Sequence, residues 1–338
     1  MKQVVVVTGG GTGGHLSVAR SFIEEFHKRG HKVIYIGSTT GQDKQWFENE
    51  DKLYKKYFFD TQGVVNQNFF GKIKSLFKIL KAVLKSRKVI KQNNVSKVVS
   101  VGGFSAAAAS FAAILTKKDF YIHEQNSVMG KLNSVSARFA KEIFSSYSSN
   151  SKIRDYPVSD KFFNYTRLRT EVKSIIFLGG SQGATAINDF ALKVAPKLNE
   201  MGIKIIHQTG KNDFKRVKAE YDKLDIEVDV FDFSYAILDK MTIADFAVSR
   251  AGASTLWELV ALGIPTLFVP YPYSAGGHQH KNAATLLEKE LCFLQKEKEL
   301  SEEYFFDAIQ TDIESMSSRL VKIIQKNAIR KIVDEIER

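Results

Sequence analysis

Val4-Val5-Val6-Val7-Thr8-Gly9-Gly10-Gly11-Thr12-Gly13-Gly14-His15 is the stretch on which the fold turns. Four valines favour a pleated backbone buried on both faces, as in a parallel sheet, and the glycines after them permit φ > 0 and close approach to a ligand. Leu16, Ala19, Phe22, Ile23 and Phe26 then recur at helical spacing, and Gly30 stops the run where a glycine cap is expected. The spacing predicts strand, glycine turn and helix, with the amides of the helix start aimed at an anion.

Which anion is narrowed by what the loop lacks. A Walker loop needs Lys and then Ser/Thr after its last glycine, and His15-Leu16 stand there instead. Gly9, Gly11 and Gly14 satisfy G-x-G-x-x-G, but the next strand, Lys32 to Ile36, ends in Gly37-Ser38 and not in an acidic ribose ligand. A phosphosugar or nucleotide-sugar site, with His15 at the helix mouth beside the reacting group, stays open.

The second half repeats the first. Ser174-Ile175-Ile176-Phe177-Leu178 leads into Gly179-Gly180-Ser181-Gln182-Gly183, and a further helix ends near Gly202. Gly9 and Gly30 are 21 positions apart and Gly180 and Gly202 are 22 apart. Two such units about 170 residues apart predict an α/β protein of two Rossmann-like, doubly wound parallel-sheet domains with a ligand cleft between them. The irregular polar stretch Lys152 to Arg169 places the boundary, giving an N-terminal domain over 1–160 and a C-terminal domain over 161–321. The amphipathic segment of about 322–338 is expected to pack back on the first domain.

At 338 residues the chain is long enough for two cores; 44% of it is apolar and 25% charged. The single cysteine, Cys292, cannot form an internal disulfide, and no stretch is apolar enough to span a bilayer. The start carries no signal-peptide pattern, so the expected location is cytoplasmic. The net charge is +12, and the segment between Asp60 and Asp119, which has no acidic residue, carries +11 of it. Within it, Phe69, Phe70, Ile73, Leu76, Phe77, Ile79, Leu80, Val83 and Leu84 form one apolar face of a basic amphipathic helix. A core helix with a solvated lysine face is the ordinary explanation. Three phenylalanines, and lysines without a Glu at i,i+4, shift the expectation to contact of residues 69–91 with an anionic membrane surface. No nucleic-acid motif accompanies the charge, so no nucleic-acid partner is expected.

Three further clusters fall at predicted strand ends, where open α/β sheets bind ligands: Gly102-Gly103-Phe104, His123-Glu124-Gln125-Asn126, and Arg250 with Gly252 to Glu258. Ser254 or Thr255 is suited to cap the helix that starts there. A fourth, Gln279 with Asn282-Ala283, falls at a predicted helix start after the loop Tyr271 to Gly277. A metal on His278 and His280 is disfavoured: i and i+2 do not share a helix face, and no Cys or carboxylate is near.

Together these motifs, in this order and spacing over most of the chain, resemble the MurG family. Its members add N-acetylglucosamine to the lipid-linked muramyl-peptide precursor lipid I, giving lipid II for the bacterial cell wall and so for cell shape and division. The resemblance implies a GT-B fold, UDP-N-acetylglucosamine as donor, inversion at the anomeric carbon, no cofactor or metal, and peripheral attachment to the cytoplasmic face of the inner membrane. Donor-contacting positions of the family fall on Thr12, Gly13, Gly14, Asn126, Ser181, Ser234, Ala253, Ser254, Thr255, Leu256, Trp257, Glu258 and Gln279. Glu258 can accept two hydrogen bonds from a ribose diol, and Ser181 with the Gly179 to Gly183 amides can hold a diphosphate. The first glycine loop is then left for the acceptor diphosphate. His15 leads as general base, with Glu124 or His123 as runner-up, because an imidazole titrates near neutrality. The chain departs from the family at Ser159, where an arginine usually follows Pro-Val, so Arg154, Lys161 or Arg250 is the candidate replacement cation. It departs again at Leu16-Ser17-Val18, which lacks a proline. Another enzyme of this fold, a glycolipid glycosyltransferase or a nucleotide-sugar epimerase, and a non-catalytic nucleotide-sugar-binding scaffold are the alternatives.

Overall fold

The computed structural model of the chain describes residues 2–63, 68–180, 183–234 and 236–338. They form two compact units, one of residues 1–158 with 327–338 and one of residues 159–326.

Unit one runs β1 (Val4–Thr8), α1 (Gly13–Lys28), β2 (Lys32–Ser38), α2 (Asp43–Phe47), β3 (Lys55–Phe59), α3 (Phe69–Gln92), β4 (Lys97–Ser100), α4 (Ala107–Leu115), β5 (Asp119–Glu124), α5 (Lys131–Ser136) and β6 (Glu142–Ser145). The strands form one parallel sheet in the order β3-β2-β1-β4-β5-β6. Val5, Val6 and Val7 are wholly buried, as a central strand covered on both faces requires.

Unit two repeats the plan with α6 (Asp160–Phe163), β7 (Ser174–Leu178), α7 (Thr185–Glu200), β8 (Lys204–Gln208), α8 (Phe214–Leu224), β9 (Val228–Phe231), α9 (Ile237–Ile243), β10 (Phe246–Ser249), α10 (Ala253–Leu262), β11 (Thr266–Phe268), α11 (His278–Leu287), β12 (Phe293–Leu294), α12 (Glu302–Gln310) and α13 (Ile313–Ile323). Its sheet order is β12-β11-β10-β7-β8-β9, again parallel throughout. The last helix, α14 (Ala328–Glu337), belongs to unit one, where it lies on α1. It buries Ile332, Val333 and Ile336 and is tied by Arg29 to Asp334 (2.7 Å) and Glu337 (2.6 Å).

Helix α3 is long, 24 residues, and its Asn68 cap accepts from Gly71 N at 2.8 Å. Ser75, Ala82, Val83, Ser86, Val89 and Ile90 are its buried residues, and its main packing partner is the alanine-rich α4. Small side chains let the two helices approach closely. The conspicuous apolar face is therefore not the core face. Phe69, Phe70, Ile73, Leu76, Phe77, Leu80 and Leu84 are all exposed, Phe70 by 80%. Among the described residues no helix is long and apolar enough to cross a membrane.

Candidate active site

The first glycine loop connects β1 to α1 and is knitted by backbone to the turn after β4. Gly10 N donates to Gly102 O at 3.2 Å, and a Cβ on Gly103, whose φ is +77°, would lie 2.1 Å from Gly10 O. No side chain larger than hydrogen fits there. An acid does reach this loop, from a position the sequence did not single out. Asp43, wholly buried at the start of α2, accepts from Gly11 N (2.7 Å), Ser38 N (3.1 Å) and the Tyr35 hydroxyl (3.0 Å). Tyr35 is buried with it, and burial together with the Asp43 charge holds its phenol well above the usual range. The only signal for Asp43 is its place five residues beyond the end of β2, past the strand end itself where the sequence predicts an acid would stand.

Thr12 precedes α1 with extended backbone, and its hydroxyl meets His15 Nδ1 at 2.9 Å. Gly13, Gly14 and His15 form the first turn of α1, which holds no acidic residue, so the helix N-terminus keeps its positive potential. His123 stands at the end of β5, wholly inside, against the edges of Phe22 and Tyr156. Burial, reinforced by the nearby His15, lowers its pKa to about 3, so it is neutral and sealed from solvent. As a base candidate it is displaced: a ring with no open face cannot meet a hydroxyl. Glu124 is likewise occupied. Its carboxylate accepts from Asn126 N (3.0 Å), Gly130 N (3.0 Å) and Asn133 Nδ2 (2.8 Å), which shapes the loop bearing Asn126. Of the three candidate bases, His15 is the one set at a loop mouth.

In unit two, Ser181 lies outside the described residues. Gly183 and the start of α7 are positioned by a buried network behind them. His207 meets Tyr221 OH at 2.9 Å and Asn188 Oδ1 at 3.1 Å, while Asn188 Nδ2 donates to Thr209 O (3.0 Å) and Asp213 (2.7 Å). Ser234 sits in the turn after β9, accepting from Ala236 N at 3.0 Å.

The cap of α10 is Gly252, with no side-chain cap bond; Ser254 and Thr255 fall two and three positions after it and lie inside the first turn. The expectation that they cap is corrected by that register. Ala253 and Ser254 are buried, Leu256 and Trp257 turn into the interior, and Glu258 keeps part of its surface open. Burial of the rest pushes the Glu258 carboxyl up to about 7. Arg250 does not stand ready as the cation lost at Ser159, because its guanidinium pairs with Glu297, donates to Val269 O and lies over the Tyr271 ring. Gln279 Oε1 accepts from Tyr271 N at 2.8 Å, and Asn282 Nδ2 donates to Ala251 O at 3.2 Å, so α11 fastens the loops that follow β11 and β10. Among the described residues no group of three or more His, Cys, Asp or Glu stands together as a metal cluster.

Residues 5–145 match the N-terminal domain of glycosyltransferase family 28, and residues 174–336 match its C-terminal domain. Curated relatives are UDP-N-acetylglucosamine--N-acetylmuramyl-(pentapeptide) pyrophosphoryl-undecaprenol N-acetylglucosamine transferases. Those of Campylobacter jejuni and Sulfurovum are 49% and 48% identical, covering 98% of this chain and 97% of theirs, and that of Helicobacter pylori is 44% identical over 98% of both. The chain belongs to the MurG family. Among solved structures, Acinetobacter baumannii MurG matches with a TM-score of 0.79 and 26% identity, over all of this chain and 99% of that one. MurG-family membership makes the paired sheets a GT-B fold and the chain a glycosyltransferase. A putative UDP-N-acetylglucosamine 2-epimerase from Listeria monocytogenes shares that fold (TM-score 0.69, covering 100% of this chain and 96% of that one) at 12% identity, a likeness of fold alone.

Proposed function

We propose that this chain transfers N-acetylglucosamine from UDP-N-acetylglucosamine to the lipid-linked muramyl-pentapeptide acceptor, lipid I, with inversion, forming lipid II for peptidoglycan. The observation that carries the reading is near-half identity over almost the whole length of relatives named for that reaction. The epimerase and scaffold alternatives have no comparable support.

His15 is the general base. In the tautomer that places the proton on Nδ1, facing the Thr12 hydroxyl 2.9 Å away, Nε2 holds the lone pair that takes the proton of the acceptor hydroxyl as it attacks the anomeric carbon and UDP leaves. The N-terminus of α1, through Gly13 and Gly14, takes the acceptor diphosphate. Gly11 N is already satisfied by Asp43, so the anion is held at the helix turn and not across the whole loop. In unit two the UDP phosphates fall to Gly180 and Ser181, because Gly179 N and Gly183 N already donate to Gln208 O and Gly180 O; Glu258 binds the ribose diol and Gln279 takes sugar hydroxyls, while in unit one Asn126 is a donor contact. Ser234 and Ala253 contribute main-chain contacts to the base. The leaving charge falls on helix N-termini and hydroxyls.

The exposed apolar face of α3, flanked by its lysines, docks on the anionic cytoplasmic leaflet, which places the protein peripherally on the inner membrane. Transfer of radiolabelled N-acetylglucosamine from UDP to a lipid I analogue tests the activity. Labelled product that disappears with His15→Ala is expected; no product from the parent would overturn the reading.

A further inference from the structure

The donors to the buried Asp43 carboxylate are two amides and a phenol, Gly11 N at 2.7 Å, Ser38 N at 3.1 Å and the Tyr35 hydroxyl at 3.0 Å, none of them a cation. A carboxylate enclosed among neutral donors carries a desolvation penalty. The chain nevertheless keeps room for it at two separate places. Neither Gly10 nor Gly37 has a positive φ, so the backbone there does not call for glycine, but a Cβ on either would lie 2.8 Å from Asp43 Oδ1. Gly11 is confined from its other sides too. A Cβ on it would meet the Phe104 ring at 2.5 Å, and one on Gly41 would lie 3.0 Å from Gly11 Cα.

Position passes from the carboxylate along the loop to the imidazole. Asp43 fixes the Gly11 peptide, and Thr12 follows it directly. The Thr12 carbonyl accepts from Leu16 N at 3.2 Å, and its hydroxyl, which makes no cap bond to α1, meets His15 Nδ1 at 2.9 Å. A tilt of the peptide between Gly11 and Thr12 therefore swings the ring. We infer that Asp43 is a positioning residue, which touches no substrate and acts through Gly11 and Thr12 to hold His15 in line with the acceptor hydroxyl. The inference rests on the assignment of His15 as general base.

Asp43→Asn keeps the shape but sets an amide donor among groups that are themselves donors. For transfer to a lipid I analogue, kcat should fall by roughly 10²-fold, the loss expected from about 1 Å of misplacement. The KM for UDP-N-acetylglucosamine should not change. In a His15→Ala background the same substitution should lower kcat by no more than about twofold, because no base is left for it to act through. An equal fold loss in both backgrounds would overturn the inference, since Asp43 would then support unit one and not His15. Val89→Ala, a buried change in the same unit away from the loop, should keep kcat per folded molecule; a loss as large as that of Asp43→Asn would overturn it too. Should Asp43→Asn fail to fold, Gly37→Ala, which crowds the carboxylate from β2, carries the same comparison. Independently of turnover, the His15 ring signals in NMR should move in Asp43→Asn and stay in Val89→Ala. Unmoved ring signals in Asp43→Asn would defeat the positioning role. Full activity of His15→Ala, whatever Asp43→Asn does, would instead overturn the base assignment on which the inference rests.

Discussion

Glu258, proposed above as the ribose ligand, carries a cost in stability. Its carboxyl loses its proton near 4.5 in the unfolded chain but only at about 7 in the folded one. The folded state therefore gains from holding the proton, and that advantage, full below about pH 4.5, is lost as pH rises through about 7. Above pH 8 the ionised group costs about 3 kcal/mol. Glu258→Gln should unfold at higher urea than the parent at pH 8, with the gap closing by pH 4.5. Parallel behaviour at both pH values would show that the carboxyl is solvated. A ribose diol donates two hydrogen bonds, which the carboxylate accepts, so UDP binding by the parent should tighten from pH 6 to pH 8 and stay flat in the glutamine variant. His15 calls for a different signature. His15→Gln preserves size and a contact to Thr12 but not basicity, so kcat should fall by roughly 10² to 10⁴. The KM for UDP-N-acetylglucosamine should hold steady; a rise in KM with kcat intact would make His15 a binding group.

At the scale of elements, α3 is where hydrophobic pattern alone misleads. Its strongest apolar stripe is exposed, and the face that packs with the alanines of α4 carries Val83, Val89 and Ile90 beside the small buried residues Ser75, Ala82 and Ser86. Replacing Phe70, Phe77 and Leu80 by Ser should leave stability within about 1.5 kcal/mol of the parent, about 0.5 for each substitution, because exposed positions contribute little to the core. Co-sedimentation with anionic vesicles should fall at least tenfold in the same variant; undiminished sedimentation would remove α3 from the membrane contact. The glycine loops, by contrast, were legible as turns because only glycine tolerates their backbone. What the loops are tied to was not. Asp43, His207 and Asn188 act through contacts 19 to 32 residues away in sequence, and no local spacing encodes such partners. The cap of α10 was misread for a related reason: Gly252 supplies no side-chain signal, while Ser254 and Thr255 supply one in the wrong register.

For the whole molecule, the internal repeat carried the fold because strand, glycine turn and helix each have a local cause, and two copies of a doubly wound unit leave few arrangements. The connection of the chain's end to its beginning has no such local cause and rests on tertiary contacts. Helix α14 buries Ile332, Val333 and Ile336 completely within unit one and adds Arg29 with Asp334 and Glu337, His31 with Glu337, and Lys331 with Asp155. The ion pairs are partly exposed and add little. The three side chains, at roughly 1.5 to 3 kcal/mol each, amount to about 5 to 9 kcal/mol, comparable with the entire stability of an ordinary domain. A chain ending at Lys326 should therefore lose unit one and keep unit two. Calorimetry of the parent against this truncation should show unit one's transition lost and unit two's retained. Hydrogen exchange should find the amides of β1 and β4 open but those of β7 and β10 still protected. Protection of β1 equal to the parent's would mean that α14 rests on unit one without supporting it.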